Sequence, residues 1–295
     1  MIELYLVRYF LAVVEAGGFT KAAATLHITQ PTLSAGIAKL EAVLGVALFE
    51  RAGRRVFLTD AGSRFLVRAH EILHLCNLAA REAAETERAP VVRLGLLLTI
   101  PGALAADLVA RLVAAGAPPL ELVEGTEQEI ANRLKDGSLD YALTLDRGEN
   151  PGGVLLLGPE EGYALALPRA HPLAGRPMLT ATDLMTEAMI VRQRCEVLSE
   201  TSRYFTDRNV RPRFSFRTVN DERALAMVGA GLGVTVMPES YRHPAVARLP
   251  LAGFNYRRRI ALLRADGSTG GDGGAEALLV GACEATLAEP ARQAP

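Results

Sequence analysis

Apolar positions near the start of the chain repeat with a helical period. Leu6, Phe10, Val13 and Val14 fall at i, i+4, i+7 and i+8, one face of a helix that Gly17 and Gly18 end. A short helix over residues 20–26 follows, with Ala22, Ala23 and Leu26 able to face inward and an alanine run that lets another helix come close. His27-Ile28-Thr29 makes a tight connection, and Pro31 suits the first turn of the next helix, where its missing N–H costs nothing. Leu33, Ile37, Leu40 and Leu44 form that helix's apolar stripe, and Gly45 closes it. Two short helices joined by a tight turn predict a helix-turn-helix whose second helix is the reader. Leu48 and Phe49 pack back, residues 51–55 form a turn with cationic tips, and Val56 to Leu58 form a short strand, which together predict a wing. Thr59 caps a helix that starts at Asp60, whose carboxylate favours the positive helix end. Phe65, Ala69, Ile72, Leu73, Cys76, Leu78 and Ala79 stripe that helix to about residue 88, a rod of ~45 Å that needs a partner for its apolar side.

Beyond Ala89-Pro90 the period changes. Residues 91–98 are nearly all apolar, as in a strand buried on both faces of a parallel sheet. A helix over 102–115, a strand over 120–124, a helix over 127–135 and a strand over 139–145 follow, and this βαβαβ alternation predicts an α/β unit. A second unit repeats the theme, with strands over 163–167, 188–192, 213–219, 233–237 and 249–251 and helices over 196–209 and 221–230. A strand over 257–264, a glycine-rich loop and a closing helix over 275–288 complete the pattern.

The 295 residues carry a net charge of −1, with nearly half of them hydrophobic, which fits about two packed domains and excludes general disorder. The near-zero sum hides unlike parts. Residues 1–70 hold eight cations against five anions, +3, which leaves −4 for the remainder. Arg51, Arg54 and Arg55 are either a solvated loop or a phosphate clamp, and composition does not choose between them. Cys76, Cys195 and Cys283 form no CxxC pair and no zinc spacing, so neither a disulfide framework nor a structural metal is expected, and no cofactor. The first residues lack the charge and apolar order of an export signal, and no stretch of about 18 apolar residues occurs. A cytoplasmic protein that does not meet the membrane is expected.

An ordered set of residues then identifies the reader. Phe10, Gly17 to Ala23, Leu26, Gln30-Pro31-Thr32-Leu33-Ser34, Ile37, Leu40-Glu41, Leu44-Gly45, Leu48-Phe49, Arg51, Leu58-Thr59 and Gly62 resemble the LysR-type transcriptional regulators over about the first sixty residues. The sequence departs where Gly18 replaces a common serine, and where Ala35 or Gly36 stands in place of a long polar residue, which thins the base-reading side chains. On this resemblance Gln30, Pro31, Thr32 and Ser34 start the reading helix, with Gln30 suited to an adenine edge. Thr20, Thr29 and Ser34 bond phosphate, as do Arg51, Arg54 and Arg55 from the wing. Lys39 is either a further contact or an ordinary solvated side chain, and Leu33 and Ile37 are core.

The resemblance also implies an architecture. It is α/β, with an all-α-rich winged helix-turn-helix over 1–59, a linker and dimerisation helix over 60–88, and an effector-binding domain over 89–295. That domain has two Rossmann-like subdomains, 91–160 with 265–290 and 161–264, similar in fold to periplasmic solute-binding proteins. The implied partners are double-stranded DNA with a palindromic operator, a second chain through the linker helix, a tetramer built from dimers, and a small effector. Residues 229–238 match a recurring family segment.

Ligands of such sheets lie beyond the carboxyl ends of the strands. That rule nominates Thr99, Thr126, Arg192, Arg194, Cys195, Val219, Asn220, Met237 and Pro238 for the effector. Arg192 and Arg194, with helix N-termini near 99–102 and 193–196, point to a carboxylate, while the same arginines read equally well as solvated surface. Cys195 beside two arginines suggests a redox-sensing regulator as an alternative, although no resolving cysteine is evident. A solute-binding protein would explain only the second half. No catalytic residue is expected, because Gly229 to Val234 opens a strand after a helix, the reverse of a dinucleotide fingerprint, and the five histidines suggest no triad. His70 and His74, one helical turn apart, read as surface.

Overall fold

The computed structural model describes residues 1–52, 55–84, 91–148, 150, 153–265 and 273–288. The reader opens with α1 (Leu4–Ala16), α2 (Phe19–Thr25) and α3 (Gln30–Leu44). The Thr29 hydroxyl caps α3 by accepting the Thr32 N–H at 3.3 Å, and Pro31 sits in the first turn, where no intrahelical partner exists for an N–H. Gly45 ends α3 at φ 71°, a left-handed position that suits glycine. The wing is the antiparallel pair β1 (Phe49–Ala52) and β2 (Arg55–Leu58). Glu41 on α3 anchors its entry, accepting the Leu48 N–H at 2.7 Å. Phe10 is the hub of the core: its ring lies 5.2 Å from that of Phe49 and 5.0 Å from that of Phe65, so α1, the wing and the next helix close on one apolar centre.

That next helix, α4, runs Asp60–Ala84, about 37 Å long. Residues 85–88 of the expected linker lie outside the described residues. The Thr59 hydroxyl accepts the Gly62 N–H at 2.9 Å and so caps α4. Ala69 and Leu73 enter the reader core, while Val67 and Leu75 remain exposed. His70 and His74 are half-buried rather than surface residues. His74 packs on Gly137, and Asn77 donates to the Asp136 carbonyl at 2.8 Å, which ties α4 to the second half of the chain.

The second half contains β3 (Val92–Leu97), α5 (Gly102–Ala114), β4 (Leu120–Gly125), α6 (Glu127–Lys135), β5 (Tyr141–Leu145) and β6 (Gly153–Pro168). It continues with β7 (Ala188–Arg192), α7 (Leu198–Thr206), β8 (Arg213–Thr218), α8 (Asp221–Gly229), β9 (Thr235–Pro238), β10 (Val246–Leu249), β11 (Arg257–Arg264) and α9 (Gly273–Ala288). In the first subdomain β3 pairs in parallel with β4 and β5, and β11 runs antiparallel between β5 and the first part of β6. The last part of β6 pairs antiparallel with β9 and β10, while β7 and β8 pair in parallel. The seven-stranded sheet is therefore mixed, and β6, one 16-residue strand, passes from one subdomain into the other. The expectation that residues up to 264 belong to the second subdomain needs correction. β11 pairs with β5 from Ile260 onward, so the chain has returned to the first sheet before Arg264. Separate apolar clusters fill the two subdomains, one around Leu94, Leu143 and Leu262 and the other around Leu165, Leu184 and Tyr204.

Candidate nucleic-acid interface and effector cleft

The starts of α2 and α3 put several expected DNA contacts on the surface. Thr20, Thr29, Gln30, Pro31 and Thr32 are exposed, and Ser34 is half-buried. They are already ordered among themselves. Gln30 Nε2 donates to Ser34 Oγ at 3.1 Å, and the Thr29 and Thr32 hydroxyls are 2.7 Å apart. The side chains of Arg51, Arg54 and Arg55 lie outside the described residues. Lys39 is not a free cation: its Nζ lies 2.6 Å from Glu3 Oε1 and 3.3 Å from the Tyr5 hydroxyl, which ties α3 to the start of α1. Gly36 is not a vacant base-reading position either. It is buried, and a Cβ there would lie 2.6 Å from Tyr9 Cδ2, so the glycine lets α1 and α3 approach. Ala35 is the exposed neighbour.

The expected effector residues separate into two groups. Thr99, Arg192 and Cys195 converge between the subdomains. Thr126 and Asn220 instead serve as helix caps. The Thr126 hydroxyl and the Glu129 carboxylate form a reciprocal capping box on α6, and Asn220 Oδ1 accepts the Arg223 N–H at 2.8 Å. Arg194 and Val219 are exposed, and Met237 and Pro238 are buried strand residues. Arg192 is unavailable to an anion. It is fully buried and forms a two-pronged pair with Asp221, donates to the Val236 carbonyl at 3.1 Å and reaches Cys195 Sγ at 3.4 Å. Two carboxylate oxygens and a carbonyl satisfy this fork, so the expectation of a carboxylate held by Arg192 is not met.

A second arginine, which sequence reasoning missed, forms the centre of the cleft. Arg258 on β11 donates to Glu161 Oε1 at 2.7 Å, to Glu196 Oε1 at 2.6 Å and to the Thr99 carbonyl at 2.8 Å. Its Nη2 lies 3.4 Å from Ser240 Oγ, and Glu161 Oε2 accepts the Ser240 N–H at 2.8 Å. Glu196 belongs to the second subdomain, whereas Thr99 and Arg258 belong to the first. A further link joins α8 to α5, where Gly102 N–H donates to Glu222 Oε1 at 2.9 Å. The signal for Arg258 was strand alternation. It shares a buried face with Ile260 and Leu262, so a cation there must be paired. Glu161, Tyr163, Asp221 and Tyr241 had no comparable local signal.

Burial and charge set the protonation of these groups. Burial opposes the charge of Glu196, but Arg258 and Arg192 outweigh it and hold its carboxyl below the usual range. Burial also opposes the charge of Arg258, which Glu196 and Glu161 keep protonated. Burial pushes the Cys195 thiol up, and the nearby Arg192 does not reverse this. Burial, then Asp221, raises the Tyr241 hydroxyl, which donates to Asp221 Oδ2 at 3.4 Å. A cavity of about 420 Å³ borders this network, sharing Glu161 and Ser240 with it, and Pro101, Leu104, Ile260 and Leu287 supply apolar walls.

Comparisons with known proteins fit this architecture. The family model described as a bacterial regulatory helix-turn-helix protein of the lysR family matches residues 4–63, and that of the LysR substrate binding domain matches residues 85–271. The uncharacterized HTH-type transcriptional regulator YybE of Bacillus subtilis (strain 168) is 32% identical over 237 residues, covering 79% of this chain and 81% of that protein. A hydrogen peroxide-inducible genes activator of Pectobacterium carotovorum subsp. carotovorum is 29% identical over 272 residues, covering 88% of this chain and 89% of that one. The crystal structure of HinK, a LysR family transcriptional regulator from Pseudomonas aeruginosa, superposes with a TM-score of 0.53 at 23% identity, covering 97% of this chain and 99% of that one, a likeness of fold. Among the described residues no helix is long and apolar enough to cross a membrane. A capped reading helix, a wing and a two-subdomain sensor in one chain, together with these matches, leave no room for a solute-binding protein: the chain belongs to the LysR family of bacterial helix-turn-helix transcriptional regulators.

Proposed function

We propose that this LysR-type regulator reads a palindromic operator in the cytoplasm as a homodimer joined along α4, with dimers pairing into a tetramer, and that a small effector bound between the subdomains sets the geometry of the readers. The observation that carries the reading is the pair of contacts across the cleft. Glu196 with Arg258 and Thr99, and Glu222 with the Gly102 N–H, hold two subdomains that β6 joins without a break. A ligand that binds one arrangement of these contacts better than another shifts their population, and α4 links the first subdomain to the reader through Asn77 and Asp136. The exposed apolar Val67 and Leu75 on α4 support pairing with a second chain. Thr20, Thr29 and Ser34, with Arg51, Arg54 and Arg55, hold phosphate, and Gln30 and Thr32 read bases.

Footprinting and DNA-bend measurements on Glu196→Gln and Arg258→Gln variants test the control mechanism. A changed footprint length or bend without effector is expected. Footprints identical to the wild type in both variants would show that the cleft does not govern the reader. Replacing Arg54 and Arg55 by alanine should lower the salt slope of DNA binding by about one to two units.

A second reading makes Cys195 a redox sensor. The peroxide-inducible relative and the 3.4 Å approach of Arg192 to Sγ favour it. Peroxide would oxidise the thiol to a sulfenic acid and leave water. Burial raises the thiol, and the other two cysteines lie elsewhere, Cys76 exposed on α4 and Cys283 in the core of the first subdomain. An unchanged transcriptional response to peroxide in Cys195→Ser would dismiss this reading.

A further inference from the structure

The cavity of about 420 Å³ beside the Arg258 network takes its walls from both subdomains, and its size is that of a small-molecule site. The first subdomain supplies an apolar side: Pro101 and Leu104 at the start of α5, Ile260 on β11 and Leu287 on α9. Among the described residues five charged side chains also line it, and three of them are committed to the protein. Asp107 pairs with Arg111 at 2.7 Å and accepts the Thr286 hydroxyl at 2.7 Å. Glu160 pairs with Arg259 at 3.0 Å and with Arg257 at 3.3 Å, and Glu161 pairs with Arg258 at 2.7 Å.

The other two are Glu239 and Arg242, on the turn that follows β9 in the second subdomain. Among the described residues neither forms an ion pair. Glu239 accepts the Gly162 N–H at 3.3 Å, and the Arg242 guanidinium has no hydrogen bond. Arg248 lies against the same turn. Its Nη2 donates to the Pro238 carbonyl at 2.7 Å, while its buried Nε and Nη1 have no partner and no described carboxylate pairs with it. Burial, then Arg242 and Arg192, depress this guanidinium to about 9, which Glu239 and Glu161 only partly offset. Two arginines of this region therefore lack a counter-charge. Water serves a lone exposed charge well enough. Opposite charges that share a cavity with an apolar wall offer more, because a ligand that carries both charges and an apolar body meets all three at once, and burial of its body adds what exposed ion pairs lack.

We propose that this cavity binds an amino acid with an apolar side chain, its carboxylate on Arg242, its ammonium on Glu239 and its side chain against Leu104, Ile260 and Leu287. This rests on the reading that the effector binds between the subdomains, and it names the class of that effector. Arg242 takes the role that the sequence suggested for Arg192 and Arg194. The charges belong to one subdomain and the apolar wall to the other, so the ligand spans the same boundary that the Glu196–Arg258 pair crosses.

Isothermal titration calorimetry of the full-length protein with leucine, methionine and phenylalanine tests this. At least one of them should bind, and it should lose about tenfold or more in affinity when either charge is removed, as isocaproate and isoamylamine do for leucine. Two variants then give a crossed pattern. In Arg242→Gln the amino acid should bind no better than its amine analogue, and in Glu239→Gln no better than its carboxylate analogue. Glutamine at 239 keeps an oxygen for the Gly162 N–H, and Arg242 is exposed, so both variants retain the fold. Absence of binding by all three amino acids overturns the proposal. A one-charge analogue that binds the wild type as tightly as the amino acid also overturns it, as do variants that leave the amino acid's affinity unchanged or weaken both analogues alike. Binding is read here without DNA, so an amino acid that binds in this way and leaves the footprint unchanged counts against control of the reader by the cleft and leaves this site standing.

Discussion

Replacing Asp221 by asparagine should damage the sensor out of proportion to the atoms changed. The Arg192 side chain is 1% exposed and that of Asp221 3%, and the carboxylate receives both Nε and Nη2 of the guanidinium. Asparagine fills the same volume but removes the charge and one acceptor. Arg192 then remains buried and protonated, with one neutral amide oxygen and the Val236 carbonyl in place of a carboxylate. Breaking one side of a buried pair costs about 3–5 kcal/mol, because the other charge loses its compensation and cannot reach water. For a domain of this size each kcal/mol moves the midpoint by roughly 2–4 °C, so the sensor transition should fall by about 6–20 °C. Differential scanning calorimetry on the full-length protein measures this, and the reader, with its own core around Phe10, serves as the internal reference. The double variant Arg192→Met with Asp221→Leu removes both charges and should recover most of the loss, since apolar replacements of buried pairs are often neutral. A sensor transition lowered by under ~2 °C in the single variant, or a double variant as damaged as the single, would refute the argument from uncompensated charge.

Three other outcomes follow from the same geometry. Gly36→Ala places a methyl 2.6 Å from Tyr9 Cδ2, so α1 and α3 must part, and the reader should lose ~1–3 kcal/mol in urea unfolding; an unchanged midpoint would place that contact elsewhere. Burial, then Lys135, depresses the pKa of His70 while Asp136 opposes the shift, so its contribution is complete above an unfolded value of about 6.5 and is lost as pH falls toward the folded one. Unfolding midpoints measured through that window should drop in the wild type and drop less in His70→Gln. Cys76 is exposed, whereas burial raises Cys195 and pushes Cys283 up to about 12, so a thiol reagent at neutral pH should show one fast phase that Cys76→Ser removes.

How much of this protein was legible in its sequence depended on how local each cause was. Periodicity and caps located α1, α3 and the wing, because a helix face, a proline in the first turn and a left-handed glycine each act within a few residues. The same local signals gave βαβαβ in the first subdomain, which the pairing of β3 with β4 and β5 matches. Alternation within β11 contained the signal for Arg258, but the partners of that arginine lie 62, 97 and 159 residues away in the chain. No window along the sequence brings those residues together.

The sequence by itself determined that the chain carries a capped, winged reader followed by a striped helix and an α/β sensor, and the ordered residues from Phe10 to Gly62 were enough to indicate the family. Tertiary structure decided what the charged residues do. Arg192 appeared in the sequence as a cation at a helix start and proved to be the buried partner of Asp221. Helix and strand formation depends mainly on neighbours in the chain, which a sequence displays. The availability of a charge depends on which opposite charge and how much water the folded chain leaves beside it, and here residues 29 and 62 positions apart in the chain settle that.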